Sequence, residues 1–195
     1  MASYGSIAYT PGVRATQRRL RSPVAASAED PSAEFALGEA EAAFVQASDG
    51  FFQATVSETG WPYVQFRGGP PGFVHVLGPA SIGYADLRGN RQYISVGNLA
   101  SDDRVALLFI DFAARRRLKL YGRARVVEDG AVVEVVRAGS DRGHVERAVL
   151  VDVVAASWNC PQHIPLRWSA EQVAAIVQPL RARVATLEAE LQGRP

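Results

Sequence analysis

Residues Phe51 to Asp86 read FFQATVSETGWPYVQFRGGPPGFVHVLGPASIGYAD. Short β-branched and aromatic runs (FFQATVS, WPYVQFR, FVHVL, ASIGYAD) alternate here with turn clusters (SETG, GGPPG, GP). Runs of that length with such short connections predict antiparallel strands in a barrel or sandwich. The βαβ rhythm of a parallel sheet is missing, because most intervening segments are too short to hold a crossover helix.

Working outward, the polar, glycine-containing segment LRGNRQYISVGNLASDD leads into three further strand-like runs, VALLFIDF, RLKLYGRARVVE and ERAVLVDVVAAS. A short helix is expected over 131–139. On the N-terminal side, PSAEFALGEAEAAFVQAS (31–48) is rich in Ala and Glu, and Asp49-Gly50 would end a helix there. Residues 1–30 mix Gly, Ser, Pro, Thr and Arg without periodicity, as expected of an arm lying on the domain or on a partner subunit. At the other end, Ser169 and Gln172 have the spacing of a capping box. Val173, Val177, Leu180, Val184, Leu187 and Leu191 then recur at three- and four-residue steps. The organisation expected is an arm (1–30), a main domain (31–168) and a C-terminal helix (169–195) packed on that domain or on a partner subunit.

The chain has 195 residues, 48% apolar and 21% charged, with a formal charge of +1. That is enough for one domain with a sizeable core and argues against disorder. The near-neutral balance is unlike a bulk nucleic-acid binder, and no run approaches the length of a membrane span. A lone Cys160 cannot form an internal disulfide or a CxxC motif, so a cytoplasmic setting is expected. The three histidines (His75, His144, His163) form no local metal motif.

Familiar catalytic patterns are absent as well. GGPPG (68–72) lacks the Lys-Ser/Thr of a P-loop, and no GxSxG exists for a serine nucleophile. Cys160 stands three residues from His163 with no acid nearby to orient the pair. Two constellations remain. Arg88, Asn90, Arg91, Gln92 and Ser95 gather guanidinium, amide and hydroxyl groups around Gly89, a set suited to a phosphate. In RRLKLYGRARV, strand alternation puts Arg117, Lys119 and Tyr121 on one face. A cation on that face could stabilise negative charge on a bound reduced ring.

Four stretches, ATVSETGWPYVQFRGGPPGF, GNRQYISVGNLASDDRVALLF, RRLKLYGRARVV and WNCPQHIPLR, together resemble the flavin-nucleotide-binding relatives of pyridoxamine 5′-phosphate oxidase. The resemblance runs from Glu39 through Arg167 and touches IAYTPGV near the N-terminus. It implies a mainly β, α+β fold: an antiparallel split β-barrel with flanking helices and a C-terminal helix. It also implies a homodimer that binds FMN at the subunit interface and acts as an oxidoreductase on a small molecule, through the cofactor and with no catalytic side chain.

Residue by residue, Gly89-Asn90-Arg91-Gln92 resembles the family's Gly-Ser-Arg-Lys phosphate segment. Arg91 would then be the main phosphate ligand, with Asn90, Gln92, Ser95 and Asn98 or Arg88 as helpers. Gln92 stands where the family has Lys, which lowers the positive charge. Gln65-Phe66-Arg67 and Tyr84-Ala85-Asp86 match strands whose backbone meets the flavin ring. Arg117 falls where the family has a ring-contacting Gln, with Lys119 next on that face. Trp158 and Arg167 match the pair that reaches the partner's cofactor, and Gln162 and His163 would line the substrate pocket. The family's vitamin-gripping Lys and Arg-Leu-His are replaced by Arg67-Gly68-Gly69-Pro70 and His163-Ile164-Pro165, so a true pyridoxamine phosphate oxidase is not expected. Alternatives are a non-catalytic flavin-binding, storage or sensing module, and the same barrel carrying a deazaflavin or haem.

Overall fold

A computed structural model describes residues 4–22, 35–137 and 143–192. Seven strands form one antiparallel sheet: β1 (Gly50–Val56), β2 (Pro62–Gly68), β3 (Val74–Gly78), β4 (Ser81–Leu87), β5 (Arg104–Asp111), β6 (Arg116–Val127) and β7 (Val145–Trp158). Their spatial order is β2-β1-β5-β6-β7-β4-β3. The two hairpins read from Phe51 to Asp86 thus end up at opposite edges of the sheet. β5, β6 and β7 fill the space between them.

Strand alternation decides what lies inside. In β1, Phe51, Gln53 and Thr55 are buried while Phe52 is exposed, as a period of two requires. Phe51 stacks on Phe73 (5.9 Å) and Phe109 (4.8 Å) and meets Tyr84 edge-on (5.2 Å). These rings come from β1, the β2–β3 turn, β4 and β5, so the sheet curls until its distant strands face one another. It is a split barrel: β2 and β4 approach without pairing their backbones, and the gap between them is the split.

Helices flank the sheet: α1 (Tyr4–Ala8), α2 (Pro11–Arg19), α3 (Glu39–Ala47), α4 (Ile94–Ser101), α5 (Gly130–Arg137) and α6 (Ala170–Gln192). Four differ from the sequence expectation. The N-terminal arm carries α1 and α2, the latter started by Pro11 and by Thr10, whose Oγ1 accepts from the Val13 amide at 3.4 Å. The helix expected over 31–48 starts at Glu39, and residues 31–34 lie outside the described residues. The segment read only as polar contains α4, whose N-cap position, Tyr93, has no side-chain cap and stands at φ 52°. The capping box of α6 forms as expected: the Ser169 amide donates to Gln172 Oε1 (2.9 Å) and the Gln172 amide to Ser169 Oγ (3.2 Å).

The chain divides into two compact units, Met1–Ile110 with Arg117–Cys160, and Asp111–Arg116 with Pro161–Pro195. The first holds nearly all of the sheet and its core. The second holds α6, which buries none of its residues. Among the described residues, no helix is long and apolar enough to cross a membrane.

Candidate functional site

The split is closed by side chains instead of backbone pairing. Arg67 on β2 donates to Asp86 on β4 at 2.9 Å, and both side chains are largely buried. Arg147 on β7 approaches the second oxygen of Asp86 at 3.6 Å. One carboxylate therefore lies between two guanidinium groups. Below it, the Tyr84 hydroxyl donates to Gln53 Oε1 inside the barrel. Burial holds the Tyr84 phenol well above its ordinary pKa against the opposing pull of Arg67, so it remains a neutral donor. Gln53 Nε2 and Arg67 Nε are buried without a partner.

A pocket opens beside this clasp, lined by Tyr63, Gln65, Arg67, Asp86, Asn90, Arg91, Gln92, Tyr93, Ile94 and Ser95 among others. Three elements converge there: β2, whose outer edge is unpaired in the sheet, the end of β4, and the turn into α4. Ser95 Oγ donates to Gln65 Oε1 at 3.1 Å and so ties α4 to β2. The Gln92 amide donates to Asn90 Oδ1 at 3.1 Å, an Asx-type turn. Arg91 (φ 60°) and Tyr93 (φ 52°) both occupy left-handed backbone. That conformation is uncommon for non-glycine residues and persists only where neighbours hold it.

For Tyr93 those neighbours are Glu146 and Arg147. Glu146 accepts from Arg88 (2.8 Å), Tyr93 (3.3 Å) and Arg147 (2.9 Å), and the Arg147 guanidinium lies 5.0 Å over the Tyr93 ring. The Arg88 hydrogen bond, ahead of the others, holds the Glu146 carboxyl below its ordinary pKa. Sequence reading passed over both residues, because Glu-Arg at the head of an apolar run looks like the start of a strand and nothing more. Arg88, expected as a phosphate helper, is taken up by Glu146 and does not line the pocket.

Of the other expected site residues, Phe66 and Ala85 line an adjoining hollow with Arg67, Tyr84 and Phe73. The Phe66 ring lies across Gly50 and Gly68, where any Cβ would sit within 3 Å of it. Asn98 is buried and donates to Thr55 Oγ1 at 2.9 Å, which fastens α4 to β1. It shares a face of α4 with Ser95 but sits one turn further along the helix, against β1 and beyond the pocket wall. Lys119 lies 4.9 Å over the Tyr4 ring, which stacks on Tyr121. Arg117 Nη2 reaches the Cys160 carbonyl at 3.5 Å. Trp158 donates to Glu41 at 2.5 Å and packs on Phe44. In the second unit, Gln162 is exposed and Arg167 lies 4.9 Å over the Phe112 ring. Among the described residues, no group of three His, Cys, Asp or Glu is placed to hold a metal.

Part of the outer face of the sheet is apolar. A groove of about 590 Å³ is bounded by Ile7, Ala54, Val56, Pro62, Ala106, Tyr121 and Val154, with Arg104 and Arg123 also in its lining, and Phe52, Val64 and Phe66 extend the exposed apolar surface on β1 and β2.

HupZ of Group A Streptococcus superposes with a TM-score of 0.52 at 12% identity, over 68% of this chain and 99% of that one. A putative pyridoxamine 5′-phosphate oxidase from Lactobacillus delbrueckii gives 0.49 at 20% identity, over 63% and 93%. An FMN-binding protein from Syntrophomonas wolfei gives 0.49 at 10% identity, over 61% and 82%. No curated protein matches the sequence. The family model for pyridoxamine 5′-phosphate oxidase matches residues 37–155, from the approach to α3 through nearly all of β7 and so over more than half of the chain. The chain belongs to the pyridoxamine 5′-phosphate oxidase family.

Proposed function

We propose that this chain is an FMN-binding flavoprotein, a homodimer with its cofactor at the subunit interface, working as a cytoplasmic oxidoreductase on a small organic substrate. The observation that carries the reading is the pocket at the split, where Arg91 stands on a left-handed turn leading into the uncapped N-terminus of α4. Unsatisfied amides and a guanidinium together favour a phosphate. Arg91 would hold it, with Asn90, Gln92 and Ser95 alongside. Gln65, Arg67 and the free edge of β2 would orient the ring, and the unpartnered Arg67 Nε is a donor still to be satisfied. A bound flavin would supply the hydride or electron transfer. The exposed apolar patch of Phe52, Val64 and Phe66 on β1 and β2 supports burial against a second copy. Arg117 and Lys119, with Trp158, Gln162 and Arg167, are the residues we assign to the remaining cofactor contacts.

An absorption spectrum of the purified protein, with FMN or riboflavin added, tests this reading. Arg91→Ala should weaken FMN binding roughly 10- to 100-fold, the range for a charge-assisted hydrogen bond, and leave riboflavin binding nearly unchanged. Equal losses for both ligands would remove Arg91 from the phosphate. No flavin uptake, or a haem or deazaflavin spectrum instead, would overturn the FMN assignment. Gln92→Lys restores the family's charge and should tighten FMN up to about fivefold, since an exposed pair is worth at most about 1 kcal/mol. Oxidation of a reduced nicotinamide by the holoprotein would separate an enzyme from a storage module.

A further inference from the structure

We propose that α6 is one strand of a parallel, two-stranded coiled coil formed with a second copy of this chain. The helix runs 23 residues and buries none of them, whereas helices in proteins draw most of their stability from a packed face. Its apolar residues leave a continuous stripe: Val173, Leu180, Val184, Leu187 and Leu191 are all exposed. With Val177 they make an unbroken heptad pattern, Val177, Val184 and Leu191 at a, Val173, Leu180 and Leu187 at d. The two central heptads pair Val at a with Leu at d (177 with 180, 184 with 187), the combination that favours two parallel strands.

The charges at the flanking positions choose the occupant and its direction. In a parallel pair, g of one strand meets e of the next heptad on the other. Arg183 at g would then face the partner's Glu188 at e, twice by symmetry. The antiparallel arrangement that overlaps the whole stripe is centred near residue 182. It would bring Arg181 against the partner's Arg181 and Arg183 against the partner's Arg183, and like charges at these positions select against a pairing. Pro179 occupies c, on the outer side, so its ring stays out of the seam. The assignment rests on α6 alone and holds whether or not the barrel binds FMN.

Disulfide trapping in the full-length protein tests it, in a Cys160→Ser background so that the introduced thiol is the only one. Val184→Cys should form a disulfide-linked dimer on mild oxidation about tenfold or more faster than Ala182→Cys, an f-position control, because bridging needs the two Cβ atoms within about 4.5 Å. A mixture of the V184C and L180C chains should give no excess of the mixed dimer. Equal rates at positions 184 and 182, or no disulfide at 184, would overturn the coiled coil. Preferential V184C–L180C linkage would overturn the parallel direction.

Discussion

Asp86→Ala should lower the unfolding free energy by about 3–5 kcal/mol, the usual cost of removing one partner from a buried ion pair. Asp86 is the counter-charge for Arg67 at 2.9 Å and for Arg147 at 3.6 Å, with side-chain exposures of 7%, 15% and 14%. Without it Arg67 loses the only ion pair it makes among the described residues, and Arg147 is left with Glu146 alone. Urea unfolding followed by tryptophan fluorescence gives the number. Asp86→Asn keeps an oxygen that can accept from Arg67 but loses the charge, so its loss should fall between wild type and alanine. A loss under about 1 kcal/mol for alanine would mean that both arginines reach water when released, and that the clasp contributes little.

The second large effect belongs to the ring cluster. Phe51→Ala removes a side chain that touches Phe73, Tyr84 and Phe109 together, and should cost about 3–5 kcal/mol, as deletion of a buried aromatic usually does. Phe51→Leu keeps most of the volume and should cost clearly less. Tyr84 packs against Phe51 on one side and borders the hollow with Arg67 and Ala85 on the other. The alanine variant should therefore also loosen flavin binding in protein that remains folded. Chemical denaturation and flavin titration of the two variants measure both effects.

Much of this arrangement was legible from residue spacing. The strands announced themselves because alternation is a local signal, and the α6 cap was readable because Ser169 and Gln172 are three residues apart. The clasp was not, since Arg67 and Asp86 meet only after the sheet has curled, and neither sequence neighbourhood marks the pairing. α4 escaped notice because its first turn lacks a capping side chain and carries Gly97 inside. Asn98 reads as a ligand because it stands within a polar motif, and the contact its amide makes with Thr55, 43 residues earlier in the chain, has no local signal. Arg91, Asn90, Gln92 and Ser95 are gathered in one pocket, as expected of residues that share a single short turn.

The strand order also has a consequence for how the chain is made. β7, the last strand, bonds to β6 on one side and to β4 on the other. Until residue 158 has left the ribosome, the β3–β4 hairpin has no neighbour, and the half of the sheet formed by β2, β1, β5 and β6 ends in an open edge. Synthesis therefore yields two unfinished pieces that the final strand joins. Pairings so distant in sequence close late and slowly, and their exposed edges are prone to aggregate in the interval. A nascent chain stalled before Val145 should be readily digested by protease, and one released after Trp158 should resist it.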